Sequence, residues 1–387
     1  MRRYLQRCRN GWEIMHEQTV SGILKKEAIE YIISLPCDRT KDLCEILEGE
    51  FRYITISREE DGIGILSGLS LMGKRGVLQM QSSGLGNSLN ALMTLPYLYG
   101  LPLPILASWR GYYQEKIAAQ IPFNEKIPDL LKLYNIPCTI IREPEDIDLI
   151  TSVISDAWIE SRPHVALISP HVWEGEEELP SCMAPVRNRS VHLSYQGTFS
   201  EPVMQRADAI RVLASMMTDE LVVSNIGVPS KELYHTRDNP ANFYMLGSYT
   251  QASPLGFGIA LGTDRTVVVL DGDGSLLGTA ALPVIAGESP KNLIIIGLDN
   301  GVYGSTGDQC SPAYNTVDLE LLAQASGFQT TWKVHTPEEL KQVYAQALNG
   351  GLSFIHVVIR PGNSSVSNIP LSPSEIKNRF CSEAGRK

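Results

Sequence analysis

No cysteine in this chain has a partner at metal-binding or redox spacing. The seven cysteines are scattered, with neither a CxxC nor a CxxH pair among them. An odd, unpatterned set argues against a disulfide frame or a cysteine-based zinc site and points to reduced thiols in a cytoplasm. Long basic runs are missing too and the net charge is −10, so a nucleic-acid partner is not expected. An unbroken apolar span is also missing. The longest candidate, Leu92–Trp109, carries Pro96, Gly100, Pro102 and Pro104, which break a membrane helix and suit a helix, a turn and a buried strand. Met1–Gln18 is basic at first but has no apolar core, so it does not read as a signal peptide. Gly84-Leu85-Gly86 lacks the third glycine of a nucleotide-binding loop, position 89 being Leu, and there is no phosphate-loop lysine. No histidine stands in a catalytic context; His235, inside Lys231-Glu232-Leu233-Tyr234-His235, reads as structural or as support for another residue.

What is present is a globular composition. The chain has 387 residues, 43% hydrophobic and 20% charged, enough for two or three domains with sizeable cores. After a lead-in over residues 1–23, a helix is expected at Leu24–Ile32 and a strand at Ile33–Cys37. Short β runs recur at Tyr53–Ile56, Gly76–Met80, Pro104–Ala107, Thr139–Ile141 and His164–Ile168, with helical segments between them. Such alternation predicts a doubly wound parallel sheet over 24–170. An acidic, aperiodic stretch, 171–203, reads as a linker. The alternation then resumes over 204–362, with β runs at Leu221–Ser224, Phe243–Leu246, Thr266–Leu270, Leu293–Leu298, Thr330–Trp332 and Ser353–Ile359, before a polar tail at 363–387 that suits a surface helix. Gly62–Ser83 and Ala252–Gly274 share an order of Gly-rich helix, turn (Lys74-Arg75 and Asp264-Arg265), strand and glycine loop. Either the halves are two copies of one fold or two βαβ units look alike by chance.

The chemistry-bearing pattern lies in the second half. Gly272-Asp273-Gly274-Ser275 closes one apolar run, and Asp299-Asn300-Gly301 closes the next, with 27 residues from Asp273 to Asn300. Two parallel strands joined by a helix set that carboxylate and carboxamide side by side at the sheet's carboxyl edge. Hard oxygen ligands there suit Mg²⁺, which usually also takes oxygens from a phosphate. Upstream, Gly247-Ser248-Tyr249-Thr250-Gln251-Ala252-Ser253-Pro254 ends a strand and opens a helix rich in small residues, where backbone can approach a cofactor and free N–H groups can meet an anion. Val302–Gln309 is polar and Gly-rich. In the first half, Arg58-Glu59-Glu60-Asp61-Gly62 opens a helix, and its acids suit the helix dipole. Arg110 and Lys116 are cations that could hold a fixed negative group on a substrate, or simply surface charges.

Glycine–Asp273–glycine followed at this distance by Asn300 resembles the metal and diphosphate signature of thiamine diphosphate (ThDP) enzymes. The resemblance implies two doubly wound parallel-sheet domains of the ThDP-binding fold, pyrimidine-binding then diphosphate-binding. It implies Asp273, Asn300 and the Val302 carbonyl as ligands of Mg²⁺. Gly272, Gly274, Ser275, Gly247, Ser248, Tyr249 and Tyr303 would contact the cofactor, with Pro36, Ser83 and Gly84 on the pyrimidine side. Glu59 stands nine residues before Gly68, as the Glu of this family that promotes the reactive tautomer does. Tyr249 stands where the family usually has Met, Leu or Ile to bend the cofactor. Over about 24–362 the chain resembles the small decarboxylases that act on sulfopyruvate or phosphonopyruvate, which lack a middle domain. Pro229–Tyr234, Asn242–Ser248 and Tyr303–Gln309 look like the β subunit of the sulfopyruvate enzymes; Glu59–Gly64, Gln81–Asn87 and Glu115–Pro122 look like the α subunit. A fused α-then-β chain, acting in coenzyme M biosynthesis on a small anionic 2-oxo acid held near Asn87, Arg110, Lys116 and Gln120, is what this implies. The cofactor would lie between two chains of at least a homodimer. A phosphonopyruvate decarboxylase, a carboligase, and a protein that keeps ThDP but has lost catalysis are the alternatives.

Overall fold

The computed structural model describes residues 15–174 and 200–385. Most of the expected linker, and residues 1–14, fall outside that range. Six strands form the first sheet: β1 (Tyr31–Ser34), β2 (Arg52–Thr55), β3 (Gly76–Gln81), β4 (Leu103–Ser108), β5 (Cys138–Ile141) and β6 (Pro163–Ile168). Six of the next eight form the second: β7 (Leu221–Ser224), β8 (Asn242–Tyr244), β9 (Val267–Gly272), β10 (Leu293–Asp299), β13 (Thr330–Val334) and β14 (Ser353–Val358). The remaining two, β11 (Val302–Tyr303) and β12 (Gln309–Cys310), pair antiparallel as a small hairpin.

The spatial orders are β2-β1-β3-β4-β6-β5 and β8-β7-β9-β10-β14-β13. Counting the second set from one gives the same order as the first, so the two halves share one topology. All of these sheet pairings are parallel. In each sheet the order reverses at the first strand's flank, where α/β folds leave a crevice beyond the carboxyl ends.

Period-two alternation explains why helices cover both faces of the first sheet. Ile32, Val77, Leu106 and Ala166 point to one side, against Val20, Leu24, Leu47 and Ile154. Their neighbours Ile33, Leu78, Ile105 and Leu167 point to the other. That second cluster runs on without a break into the second domain. The bridge is the helix Glu59–Leu71 packed on the helix Ala252–Gly262. Their backbones approach because glycines stand at the crossing: a methyl group at 258 would lie 2.0 Å from the Ile65 carbonyl oxygen, and one at 68 would lie 2.3 Å from that of Leu255.

Two local expectations are corrected. The first helix spans His16–Lys26, not Leu24–Ile32, so a boundary at residue 24 falls inside it. Lys25 and Lys26 suit its last turn, Ala28 turns the chain at φ +54°, and the β-favouring Tyr31-Ile32-Ile33 is drawn into the sheet between β2 and β3. The tail helix Pro373–Ala384 is not merely superficial. It buries Ile376 and Phe380, and Lys377 Nζ donates to the Gly100 carbonyl of the first domain at 3.0 Å.

Candidate active site

Two polar clusters form at the carboxyl edges of the two sheets. In the first, Glu59 opens its helix and is 5% exposed. Its Oε2 accepts from Asn87 Nδ2 at 3.1 Å. The carboxyl lies on Gly84, where a methyl group would come 2.5 Å from Glu59 Cγ. Ser83 Oγ donates to Gln120 Oε1 at 2.6 Å, and Asn124 Nδ2 reaches Ser83 Oγ at 3.1 Å and the Gln120 carbonyl at 2.7 Å. Glu59, Ser83, Gly84, Asn87 and Gln120 are therefore brought into one neighbourhood. Asn124 was missed from sequence: it is buried, and the only hint was its place in the Gln120–Pro122 segment's helix.

The three adjacent acids have three different partners. Glu60 pairs with Arg58 at 2.6 Å, while Asp61 accepts from Thr279 Oγ1 at 3.0 Å and from the Ala280 N–H at 3.2 Å, across the domain boundary. Only Glu59 faces the glycine loop.

Of the two expected substrate cations, Arg110 is not a free charge at this cluster. Arg110 is buried and gives its guanidinium to Glu115 through two bonds, 2.7 and 3.2 Å, and to Asp38 at 2.8 Å. That hydrogen bonding holds the Glu115 carboxyl down at about 2. A substrate anion would have to displace a carboxylate to use it. Lys116 is exposed. Pro36 is exposed in the turn after β1, next to Cys37 and the Asp38 that meets Arg110.

In the second cluster, β9 and β10 pair so that Asp271 stands opposite Gly297 and Gly272 opposite Leu298. One more step brings Asp273 level with Asp299, beside Asn300. Asp273 is 4% exposed and accepts from Ser311 Oγ. Burial pushes its pKa up to about 6; the neighbouring charge of Asp299 adds to this, and the Ser311 bond opposes it. Asn300 Oδ1 accepts from the Val302 N–H at 3.2 Å, and the Val302 carbonyl accepts from Gly304 at 3.1 Å. Asp273, Asn300 and the Val302 carbonyl are all oxygen donors, and a desolvated carboxylate beside a second one lacks a counter-charge. A small hard cation fits that need. Gly274 and Ser275 open a helix whose start is a natural anion seat, though at six residues the helix is short.

Tyr249 lies over this turn. Its phenol donates to the Gly274 carbonyl at 2.6 Å, and burial together with the adjacent Tyr303 pushes its pKa up to about 12. The residues on either side, Ser248 and Thr250, have φ of +62° and +73°, a conformation that non-glycine residues rarely hold. Ser248 Oγ is fixed by Thr94 Oγ1 at 2.6 Å, and Gly247 leaves room for Thr94, with a methyl there lying 2.9 Å from it. Gly247 and Ser248 thus meet the first domain, while Tyr249 and Tyr303 stay partly exposed at the mouth.

Sequence reading also missed His356. It is buried on β14 with Nε2 2.8 Å from Asp299 Oδ2 and Nδ1 2.5 Å from Glu320 Oε2. No motif marks it, because its partners come from two other elements. Among the described residues Cys37, Cys44, Cys138, Cys310 and Cys381 are free thiols, and no helix is long and apolar enough to cross a membrane.

Comparisons with known proteins bear on the family and the fold. Residues 16–131 match the family described as thiamine pyrophosphate enzyme, N-terminal TPP binding domain, and residues 226–357 match its C-terminal TPP binding domain. The chain is 46% identical to a sulfopyruvate decarboxylase of Methanosarcina acetivorans over 94% of its own length and 96% of the relative's. It is 32% identical to a phosphonopyruvate decarboxylase of Streptomyces viridochromogenes over 90% of each. Half-length relatives also match. A sulfopyruvate decarboxylase beta subunit of Methanothermobacter thermautotrophicus is 44% identical over 47% of this chain and 96% of its own, and an alpha subunit of Methanococcus maripaludis is 34% identical over 41% and 98%. A solved benzoylformate decarboxylase from Polynucleobacter necessarius superposes with a TM-score of 0.71 at 14% identity, covering 91% of this chain and 100% of that one. That likeness shows the fold alone.

Proposed function

The chain belongs to the thiamine pyrophosphate enzymes, in the group that holds the sulfopyruvate and phosphonopyruvate decarboxylases, and from that premise we propose that it converts 3-sulfopyruvate to sulfoacetaldehyde and carbon dioxide. It is a 2-oxo acid decarboxylase in which both subunit types are fused in one polypeptide. The observation that carries the substrate assignment is the 46% identity to a sulfopyruvate decarboxylase across nearly the whole of both chains. The 32% identity to a phosphonopyruvate decarboxylase keeps that substrate as the second reading.

Asp273, Asn300 and the Val302 carbonyl would hold Mg²⁺, and the N–H groups of Gly274 and Ser275 would face the diphosphate. Tyr249, braced between two left-handed residues, would support the bent cofactor in place of an aliphatic side chain. Bound ThDP supplies a nucleophilic carbon and takes up the electrons released with carbon dioxide. Glu59 would hold a proton at its carboxyl and exchange it with the pyrimidine ring; Asn87 and Gly84 fix that carboxyl in place. A buried, oriented Glu59 favours a working enzyme over a protein that only stores cofactor.

Within one chain, Arg58 and Asp61 reach the chain's own second domain at Gly278–Ala280, while Glu59 between them turns back to Gly84. A homodimer or larger homo-oligomer, with Glu59 of one copy serving the metal site of another, accords with that orientation. Coenzyme M biosynthesis and a cytoplasmic setting complete the reading. Aldehyde formation from sulfopyruvate and from phosphonopyruvate, with ThDP and Mg²⁺, tests it.

A further inference from the structure

A line of polar side chains, half-buried at Lys333 and Asp318 and buried from Glu320 inward, reaches the metal turn from behind, and the proposed chemistry does not use it. Lys333 Nζ meets Glu320 Oε1 at 2.9 Å and also pairs with Asp318. Glu320 Oε2 meets His356 Nδ1, and His356 Nε2 meets Asp299 Oδ2 at 2.8 Å. Ionised carboxylates offer only acceptors, so the two contacts are best met when both ring nitrogens carry a proton, and the flanking carboxylates favour that form. Asp318, Glu320 and His356 lie close enough to suggest a second metal centre. The Lys333 ammonium already occupies that role, so the line is a strut rather than a second ion site.

The strut continues into the turn. Asp299 Oδ1 accepts from the Gly301 N–H at 2.8 Å, the Gly301 carbonyl accepts from the Ser311 N–H at 2.8 Å, and Ser311 Oγ donates to Asp273. The path from His356 therefore ends on one expected ligand, Asp273, and passes through the turn that presents the other two, Asn300 and Val302. Gly301 holds φ +67°, and its Cα packs on Tyr314 so closely that a methyl there would lie 2.6 Å from the ring. The backbone of this turn has little freedom of its own, and the Asp299 side chain fastens it from the sheet side.

We propose that His356 is a positioning residue for the cation site, acting through Asp299 to hold the Asp299–Val302 turn in the form that offers the Asn300 and Val302 oxygens. Held on His356 and Gly301, the Asp299 carboxylate is kept from swinging onto the cation as a competing ligand. Outer partners of this kind typically change metal affinity by about 10- to 100-fold when removed. The inference rests on the assignment of Asp273, Asn300 and Val302 as the metal site.

The test is Mn²⁺ binding to the full chain in the presence of ThDP, read by the loss of the free-ion electron paramagnetic resonance signal. His356→Gln is expected to raise the Mn²⁺ dissociation constant at least tenfold. Glu320→Gln, which leaves the imidazole but removes the charge behind it, is expected to raise it at least threefold, and decides the matter if the first variant does not fold. Ile355→Ala, a buried change on the opposite face of the same strand, should leave the constant within twofold although it lowers the melting temperature. Asp273→Ala should abolish binding. Wild-type affinity in both strut variants, with binding lost in Asp273→Ala, would overturn the positioning role alone. An equal loss in Ile355→Ala would show general loosening and overturn it too. Retention of Mn²⁺ by Asp273→Ala would overturn the metal assignment and the inference with it.

Discussion

At the scale of single residues, the account turns on Glu59 and on the glycine beneath it. Glu59→Gln keeps the shape and the bond to Asn87 but cannot exchange the proton, so decarboxylation should fall by roughly 10²- to 10⁴-fold while ThDP still binds. Steady-state assay and cofactor titration of the variant measure both, and unchanged turnover would remove Glu59 from the chemistry. Gly84→Ala places a methyl group 2.5 Å from Glu59 Cγ, so the Glu59 side chain must shift and turnover should also fall. Choosing Glu59 over Glu60 was possible from sequence because spacing to Gly68 is a one-dimensional property. The same is true of Asp273 and Asn300, which follow adjacent strands. The pairing of Arg110 with Asp38 was not legible, because Asp38 stands 72 residues away and pairing across a fold leaves no local pattern, whereas Glu115 is only five residues downstream. His356 was passed over for the same reason.

At the scale of elements, parallel strands buried on both faces gave strong apolar runs, and every run expected from the alternation is a strand within a few residues. The first helix was harder to place. Its apolar face is sparse, and the Ile-rich stretch that follows it satisfies helix and strand patterns alike until the sheet claims it. The helix pair Glu59–Leu71 and Ala252–Gly262 shows what glycine does here. It carries no useful sequence period, since both helices are buried nearly all round. Gly258→Ala forces a methyl onto the Ile65 carbonyl and should destabilise the chain by about 1–3 kcal/mol. Denaturant unfolding gives the value, and an unchanged midpoint would mean that the helices are not pressed together as described.

At the scale of the whole molecule, Asp61 reports on the joint between the domains. Burial pushes its pKa up to about 6, against the bonds from Thr279 and Ala280. The unfolded value is about 4, so the folded chain holds this proton more tightly, and ionisation opposes folding. The cost is absent below about pH 4, grows as pH rises, and is complete above about pH 6. Asp61→Asn does not titrate, so its stability relative to wild type should improve by up to about 3 kcal/mol between pH 4 and 7. Unfolding curves across that range test this, and a difference that stays flat with pH contradicts it. Assembly can be tested by mixing Glu59→Gln chains with Asp273→Ala chains. If sites are shared between two copies, random dimers should recover up to about a quarter of wild-type activity. No recovery after verified subunit exchange would place both halves of the site in one chain.

The matching strand orders of the two sheets and the separate alpha- and beta-subunit relatives describe a molecule built from two copies of one fold, joined in one polypeptide. Its central claim concerns what that assembly decarboxylates. Sulfonate and phosphonate differ by one titratable oxygen. The measurement is aldehyde production, coupled to an alcohol dehydrogenase, from sulfopyruvate and from phosphonopyruvate in parallel with ThDP and Mg²⁺ present. The account predicts turnover of sulfopyruvate with little or none of phosphonopyruvate. Preference for phosphonopyruvate, or turnover of neither by protein that demonstrably binds ThDP, would contradict it.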